Sequence, residues 1–301
     1  MSVFEGFSAS TAAVDIVIPV HNSPEDVRRC LSACRSTLRG GDSIIVVDDG
    51  SGSETATLCA SFAESNPHTV RLIRHEIARR FTRAANAGIA ASTADQVVVL
   101  NSDTVPAGDW IERLCRCLQS GANIGVVGPL SNAGGWQSIP SFGPGGPPNN
   151  RVRSDDRTIA DIHAFCGSFL QDFDYPFVEQ INGFCMAIRR DVLSAVGPLD
   201  EESFPEGYGE EVDFNFRVQN AGYLMAVAID VFVYHDKTKS YTSEQRKALI
   251  ARGRERNDER HGATRVKDAV TGTQRNPILA EIRDRAAIEF KRNGWILDVD
   301  A

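Results

Sequence analysis

Three apolar runs in this chain break off abruptly into groups that can bind cations or move protons. IVIPV (16–20) is followed by His21 and Asn22, SIIVV (43–47) by Asp48 and Asp49, and VVVL (97–100) by Asn101, Ser102 and Asp103. Runs this apolar suit strands buried on both faces, as in a parallel sheet covered by helices. In such a sheet the carboxyl ends of the strands share one edge, where ligands bind. Each segment alone reads equally well as a polar turn that stops a strand. Three of them on one edge would bring together residues far apart in sequence, which single turns do not predict. A carboxylate-rich edge suits a hard divalent cation that bridges the phosphates of a ligand.

The elements that must hold these residues follow from local patterns. The first strand ends near Pro19, and a helix starts near Pro24 with Asn22 or Ser23 as its cap and Glu25 and Asp26 at its positive end. Val27, Cys30, Leu31, Cys34 and Leu38 recur at helical spacing. SIIVVDDGSGSE repeats the pattern, TVRLIRHE reads as a third strand, RFTRAANAGIAAS as a small-residue helix and DQVVVLNSD as a fourth strand. This alternation predicts an α/β fold with a doubly wound, mainly parallel sheet. A helix at DWIERLCRCLQS and a strand at NIGVVGPL follow, and then SNAGGWQSIPSFGPGGPPNN, whose Gly and Pro density predicts a long irregular surface loop. INGFCMAI and YLMAVAIDVFVYH read as strands, RRDVLSAV and EEVDFNFRVQNAG as helices. Beyond Tyr241 the chain is charged and helical, with WILDV as the last strand-like stretch. The expected organisation is a tail (1–13), a main domain (14–240) with halves of about 14–104 and 105–240, and a helical extension (241–301).

Composition excludes several classes. With 301 residues the chain can bury a large core without disulfides. Its formal net charge is -8, from 32 Lys plus Arg against 40 Asp plus Glu, which argues against a nucleic-acid partner. The seven Cys lack paired CxxC spacing, and Cys30 and Cys34 fall on a helix stripe, so they read as reduced packing residues. No stretch approaches the roughly 18 uninterrupted apolar residues of a membrane span, and the first residues lack a basic, then apolar, leader pattern. A cytoplasmic location, free or at the inner face of a membrane, is the expectation. The basic residues Arg246, Lys247, Arg252, Arg254 and Arg256 alternate with acids, so they read as a solvated helix face before a lipid-binding one.

The position after the first strand reads PVHNSPED, without the GxGxxG of a dinucleotide fold, and GxxxxGK[ST] is absent from the chain. A sugar nucleotidyltransferase would need a Gly-rich basic loop there, which is also missing. What the chain does carry, in order, is IVIPVHN, VVDDGS, FTRAANAGI, VVVLNSDT, NGFCMAIRRDVL, GPLDE, GYGEEVDFNFR and VYHDKTKS. This series, over residues 14 to 240, resembles the family-2 glycosyltransferases of the GT-A fold.

The resemblance implies inverting transfer of a sugar from a nucleoside diphosphate donor, UDP-linked by preference, to an acceptor hydroxyl. It makes Asn101-Ser102-Asp103 the counterpart of the metal-binding DxD motif, with Asn in the first acidic place. Asp103 and His235 would then hold Mn²⁺ or Mg²⁺, although His235 by itself is an ordinary strand-end histidine. GYGEEVDFNFR matches the acidic dipeptide that supplies the base, so Glu211 takes that role, with Glu210 as runner-up. Asp213 supports them and pairs with Arg217, and Asp213 and Gly183 are assigned to the sugar side. Pro19, Val20 and His21 resemble a shelf for the nucleobase, and Asp48 or Asp49 the acceptor for its imide N–H. Arg83 and Asn86 match positions facing the donor. Lys237 and Lys239 are expected on the diphosphate, with solvated surface lysines as an equal account. Trp136 can stack on a donor or acceptor sugar, on a loop expected to move, or simply pack. The implied acceptor is a growing surface glycan or a lipid-linked saccharide, with peripheral membrane association. A non-catalytic binding protein of the same fold is the alternative.

Overall fold

In the computed structural model, which describes residues 12–142, 151–237 and 243–297, the buried apolar runs become strands. β1 (Val14–Val20), β2 (Ser43–Asp49), β3 (Val70–His75) and β4 (Gln96–Leu100) lie parallel in the spatial order β3-β2-β1-β4. Helices α1 (Pro24–Ser36), α2 (Ser53–Ser65) and α3 (Phe81–Ala91) connect them. Every residue of β1 and β4 is buried, which accounts for their unbroken apolar sequence. Gly88 lets α3 lie directly on the sheet, since a Cβ there would meet Val17 Cγ1 at 2.2 Å and Val47 Cγ2 at 3.1 Å.

The second half of the sheet contains β5 (Thr104–Pro106), β6 (Ile124–Leu130), β7 (Phe177–Val178), β8 (Cys185–Arg189) and β9 (Leu224–His235). The order continues β4-β8-β6-β9-β5, with β7 beside β9. β8 runs antiparallel to both β4 and β6, and β9 is parallel to β6. The sheet is therefore mixed, and the reversal has a geometric consequence. The carboxyl ends of β1, β2, β4, β6 and β9 share an edge with the amino end of β8.

The remaining helices are α4 (Trp110–Gln119), α5 (Asp156–Cys166), α6 (Arg190–Val196), α7 (Glu210–Asn220), α8 (Ser243–His261), α9 (Ala263–Gln274) and α10 (Pro277–Arg292). The C-terminal helices are part of the packing: Leu279, Ile282, Ala286 and Phe290 of α10 join the main core, and Val266 and Ala269 of α9 cover Phe216 of α7. All seven cysteines are free and buried, in line with a packing role. Among the described residues no helix is long and apolar enough to cross a membrane.

Three local expectations are corrected. Neither Asn22 nor Ser23 caps α1 with its side chain: both adopt left-handed backbone (φ 60° and 56°), and Asn22 Oδ1 instead accepts from the Gly52 N–H at 2.9 Å. Residues 131–140, expected as an irregular surface loop, are buried except for the half-buried Gly135 and Trp136. Side chains take up the polar groups that a surface loop gives to water. Gln137 donates to the Pro129 carbonyl and accepts from the Asn182 N–H, each at 2.7 Å, and Arg283 of α10 donates to the Trp136 carbonyl at 2.6 Å. The GPGGPPNN part, 143–150, lies outside the described residues. WILDV supplies only a bridge, Ile296 with Val152, and α5 was not expected at all.

Replacing Gly88 by Ala places a methyl against the immobile Val17 side chain. The expected outcome is a loss of about 1–3 kcal/mol in urea unfolding with an unchanged m-value, despite the better helix propensity of Ala.

Candidate functional site

The edge brings Asp103 and His235 together. β5 pairs with the end of β9 so that Thr104 faces His235, and the Asp236 N–H donates to the Asp103 carbonyl at 2.9 Å. His235 is 7 % exposed, and its ring is fixed from three sides. Its Nδ1 donates to the Ala133 carbonyl at 3.1 Å, its face stacks on Phe184 with centroids 5.2 Å apart, and the Asn132 amide binds both of its backbone groups. With Nδ1 committed to a carbonyl, Nε2 is the ring nitrogen that faces Asp103 Oδ1, 3.3 Å away. A ring nitrogen and a carboxylate oxygen at that distance can be touched by one cation. Among the described residues no cluster of three or more His, Cys, Asp or Glu could hold a metal. Two protein donors of this kind would suit a hard cation that takes its remaining oxygens from a ligand or water, as Mg²⁺ and Mn²⁺ do, and would not suit a structural zinc site.

Asn101 and Ser102 lie half-buried beside this pair. The Asn101 N–H donates to the Phe184 carbonyl at 2.9 Å and its own carbonyl accepts from Thr104 Oγ1 at 2.7 Å. Its side-chain Oδ1 is buried with no hydrogen-bond partner among the described residues.

The second pair is Glu210 and Glu211, the first residues of α7. Both are raised above the usual carboxyl value, Glu210 well above it, by burial first and, for Glu210, by the adjacent Glu211 charge. Burial makes ionisation costly for both groups, so the pair holds a proton more tightly than an ordinary carboxyl. Glu211 Oε2 also accepts from the Gly209 N–H at 3.0 Å, while Glu210 Oε2 is buried without a partner among the described residues. Gly183 makes room for them: a Cβ there would lie 3.3 Å from Glu211 Cβ and 3.6 Å from Glu210 Oε1. Gly183 precedes Phe184, so one short segment touches both pairs.

On the other side of the edge, His21 Nδ1 donates to the Asp49 carbonyl at 2.8 Å beside the buried ends of Pro19 and Val20. Asp48 and Asp49 are engaged within the protein. Asp48 pairs with Arg74 and accepts from the Ser51 N–H at 3.0 Å. Asp49 accepts from the N–H groups of Arg79 and Arg80 at 2.8 and 2.7 Å and contacts His75 Nδ1 at 2.7 Å. Arg83 and Asn86 point elsewhere, into a cleft of about 940 Å³ between α3, α6 and the 197–202 turn. There Arg83 pairs with Glu202 at 2.7 Å and Asn86 binds the Leu199 backbone. That cleft includes none of Asp103, His235, Glu210 or Glu211.

Asp213 is fully buried in an ion cluster with Arg217 (2.8 Å), Arg260 (2.9 Å) and His261 (2.9 Å), which hold its carboxyl below the usual value against the burial that would raise it. The Arg217 pairing matches the i,i+4 spacing. Arg283 donates to the Trp136 carbonyl, and the buried Trp136 Nε1 has no acceptor among the described residues. Lys239 lies outside the described residues. Lys237 follows His235 with a left-handed backbone (φ 55°); desolvation and then the Arg246 guanidinium lower its pKa, opposed by Asp103. Arg246 of α8 therefore belongs to this neighbourhood. No hydrogen bond or ion pair engages it among the described residues, and its Nε is buried. Sequence reading left Arg246 among solvated charges, since nothing local shows that α8 folds back to the sheet edge.

Comparison with known proteins bears on the family and the fold. The chain is 26% identical over 224 residues to the glycosyltransferase AglE of Haloferax volcanii, covering 74% of this chain and 66% of that protein. It is 34% identical over 223 residues to the pre-mycofactocin glycosyltransferase of Mycobacterium tuberculosis, covering 74% of this chain and 42% of that one. The chain thus spans less than two thirds of these relatives. In fold it resembles the mannosyltransferase PcManGT from Pyrobaculum calidifontis, solved with GDP-Man and Mn²⁺ (TM-score 0.61, 15% identity, 93% of this chain and 75% of that one). It also resembles GalNAc-T7, solved with UDP, GalNAc and Mn²⁺ (TM-score 0.60, 16% identity, 93% and 55%). Both are GT-A folds. The family model for glycosyl transferase family 2 matches residues 15–197, more than half of the chain, and the protein belongs to that family.

Proposed function

We propose that this protein transfers a sugar from a nucleoside diphosphate donor, UDP-linked in the first instance, to an acceptor hydroxyl with inversion at the anomeric carbon. The observation that carries the reading is the segment 182–184, which abuts a cation-binding pair on one side and a buried carboxyl pair on the other. Diphosphate is a good leaving group, so the reaction needs one base and no second carboxylic acid to protonate the departing oxygen. Glu211 takes the acceptor proton, its basicity raised by burial, and Glu210 stands beside it as the second carboxyl of the pair. Asp103 and His235 hold Mn²⁺ or Mg²⁺, imidazole favouring Mn²⁺. Such an ion supplies Lewis-acid stabilisation of the diphosphate charge.

Other positions take roles consistent with this reading. Pro19, Val20 and His21 form the shelf for the nucleobase, with Asp48 or Asp49 as its acceptor. Lys237 and Arg246 take the diphosphate, where a guanidinium grips phosphate oxygens, and Lys239 keeps the same role by the family resemblance alone. The orphan Trp136 Nε1 and Asn101 Oδ1 are a donor and an acceptor left for sugar, phosphate or water. The acceptor is a surface glycan or lipid-linked saccharide.

A panel of UDP- and GDP-sugars, read by Mn²⁺-dependent release of nucleoside diphosphate, tests the activity. Donor binding without turnover across a broad acceptor panel would instead support a binding protein. Glu211→Gln is expected to cut transfer by about 10²–10⁴-fold while UDP affinity stays unchanged by calorimetry. Because burial shifts the Glu211 carboxyl upward, activity should rise with pH through a range above that of an ordinary glutamate, read from the acid limb of the pH–rate profile. Asp103→Ala and His235→Ala should each weaken Mn²⁺ binding in the presence of UDP by about 10-fold or more, and unchanged titrations would remove that pair from the metal. Arg246→Ala should raise the UDP dissociation constant roughly 10-fold, a loss of about 1.4 kcal/mol, whereas Arg254→Ala should not.

A further inference from the structure

α8 is charged along most of its length, and one glycine interrupts it. Gly253 and Asn257, one turn apart, are its buried positions among the described side chains. Their face meets the turn that leads into Glu210 and Glu211.

That turn has an unusual backbone. Gly207, Tyr208 and Gly209 have φ of 84°, 62° and 127°, three successive left-handed residues. Tyr208 has a Cβ and disfavours this region, so the conformation persists only where the surroundings impose it. α8 imposes it. Gly253 lies so close that a Cβ would fall 1.7 Å from the Tyr208 carbonyl oxygen, and Asn257 Nδ2 donates to the Gly209 carbonyl at 2.9 Å. The flanking residues of the same face extend the grip. Arg252 pairs with Glu206 at 2.6 Å, Arg256 donates to the Ser203 carbonyl, and Arg260 reaches Asp200 at 2.7 Å and Asp213 at 2.9 Å. Gly209 is the point of transmission: its carbonyl is held by Asn257, and its N–H is held by Glu211 Oε2 at 3.0 Å.

We propose that α8 is the positioning element of the catalytic carboxyl pair, with Gly253 and Asn257 as the positioning residues that set the 207–209 turn and through Gly209 the place of the Glu211 carboxylate. This rests on the reading of Glu210 and Glu211 as the pair that carries the base. Among the described contacts Gly253 and Asn257 touch neither carboxyl directly, so their effect falls on the proton-accepting step, whereas Arg246, near the start of the same helix, is the residue assigned to donor binding.

The test uses the full chain, the best donor of the panel above, and Glu211→Gln alongside. Asn257→Asp keeps size and shape but turns a donor into an acceptor facing the Gly209 carbonyl; Gly253→Ala inserts a methyl where none fits. Both are expected to lower kcat at least 10-fold, to leave the donor KM and UDP affinity within 2-fold, and to shift the acid limb of the kcat profile. Glu255→Ala, on the exposed face, should behave as wild type. Wild-type kcat and pH profile in a folded Asn257→Asp protein would overturn the proposal, as would a fall in kcat matched by an equal loss of UDP affinity. If Gly253→Ala does not fold, Asn257→Asp decides. An inactive Glu211→Gln beside a fully active Asn257→Asp refutes the role of α8 alone, whereas an active Glu211→Gln refutes the base assignment on which it stands.

Discussion

The antiparallel insertion of β8 between β4 and β6 is the constraint on which the site depends. Had β8 run parallel to its neighbours, residues 182–184 would sit at the far edge of the sheet, some five residues of strand away. The reversal puts Phe184 beside the end of β4, where its carbonyl takes the Asn101 N–H, and beside the end of β9, where its ring stacks on His235. The same reversal puts Gly183 under the first turn of α7. Backbone hydrogen bonding in the sheet thereby determines which side chains can meet.

A second constraint is electrostatic. Two glutamates at the start of one helix gain from its positive end, but burial penalises both charges and the Glu211 charge further opposes ionisation of Glu210. The result is a carboxyl–carboxylate pair with raised proton affinity. On the same helix Asp213 is fully buried, less exposed than either glutamate, yet shifted the other way, because Arg217, Arg260 and His261 surround it. The contrast comes from partners and not from depth. The cationic partners of Asp213 come largely from α8, the helix that also braces the 207–209 turn.

Much of this was legible beforehand where the signal was local or periodic. The apolar runs at 14–20, 43–49 and 96–100 are strands, the alternation with helices produces the α/β sheet, and the i,i+4 pair Asp213–Arg217 forms as spacing implies. Polar composition misled where long-range partners compensate it. Residues 131–140 look like a solvent loop until Gln137 and Arg283 supply the missing hydrogen bonds. The charged face of α8 looks solvated until the acids of 200–213 arrive opposite its arginines. Arg83 and Asn86 lie on the expected helix yet turn toward the 199–202 turn, a direction that no local pattern encodes.

By itself the sequence determined the strand and helix types, the polar strand ends and the acidic dipeptide at the head of a helix, because these follow from burial periodicity and from the chemistry of single residues. Tertiary structure alone decided that Asp103 meets the Nε2 side of His235, that Glu210 and Glu211 share one desolvated pocket, and that a C-terminal helix holds the turn before them. Each of these is a contact between segments tens of residues or more apart, or a desolvation that exists only once the chain has closed around the group, and neither has a signature within a local window of sequence.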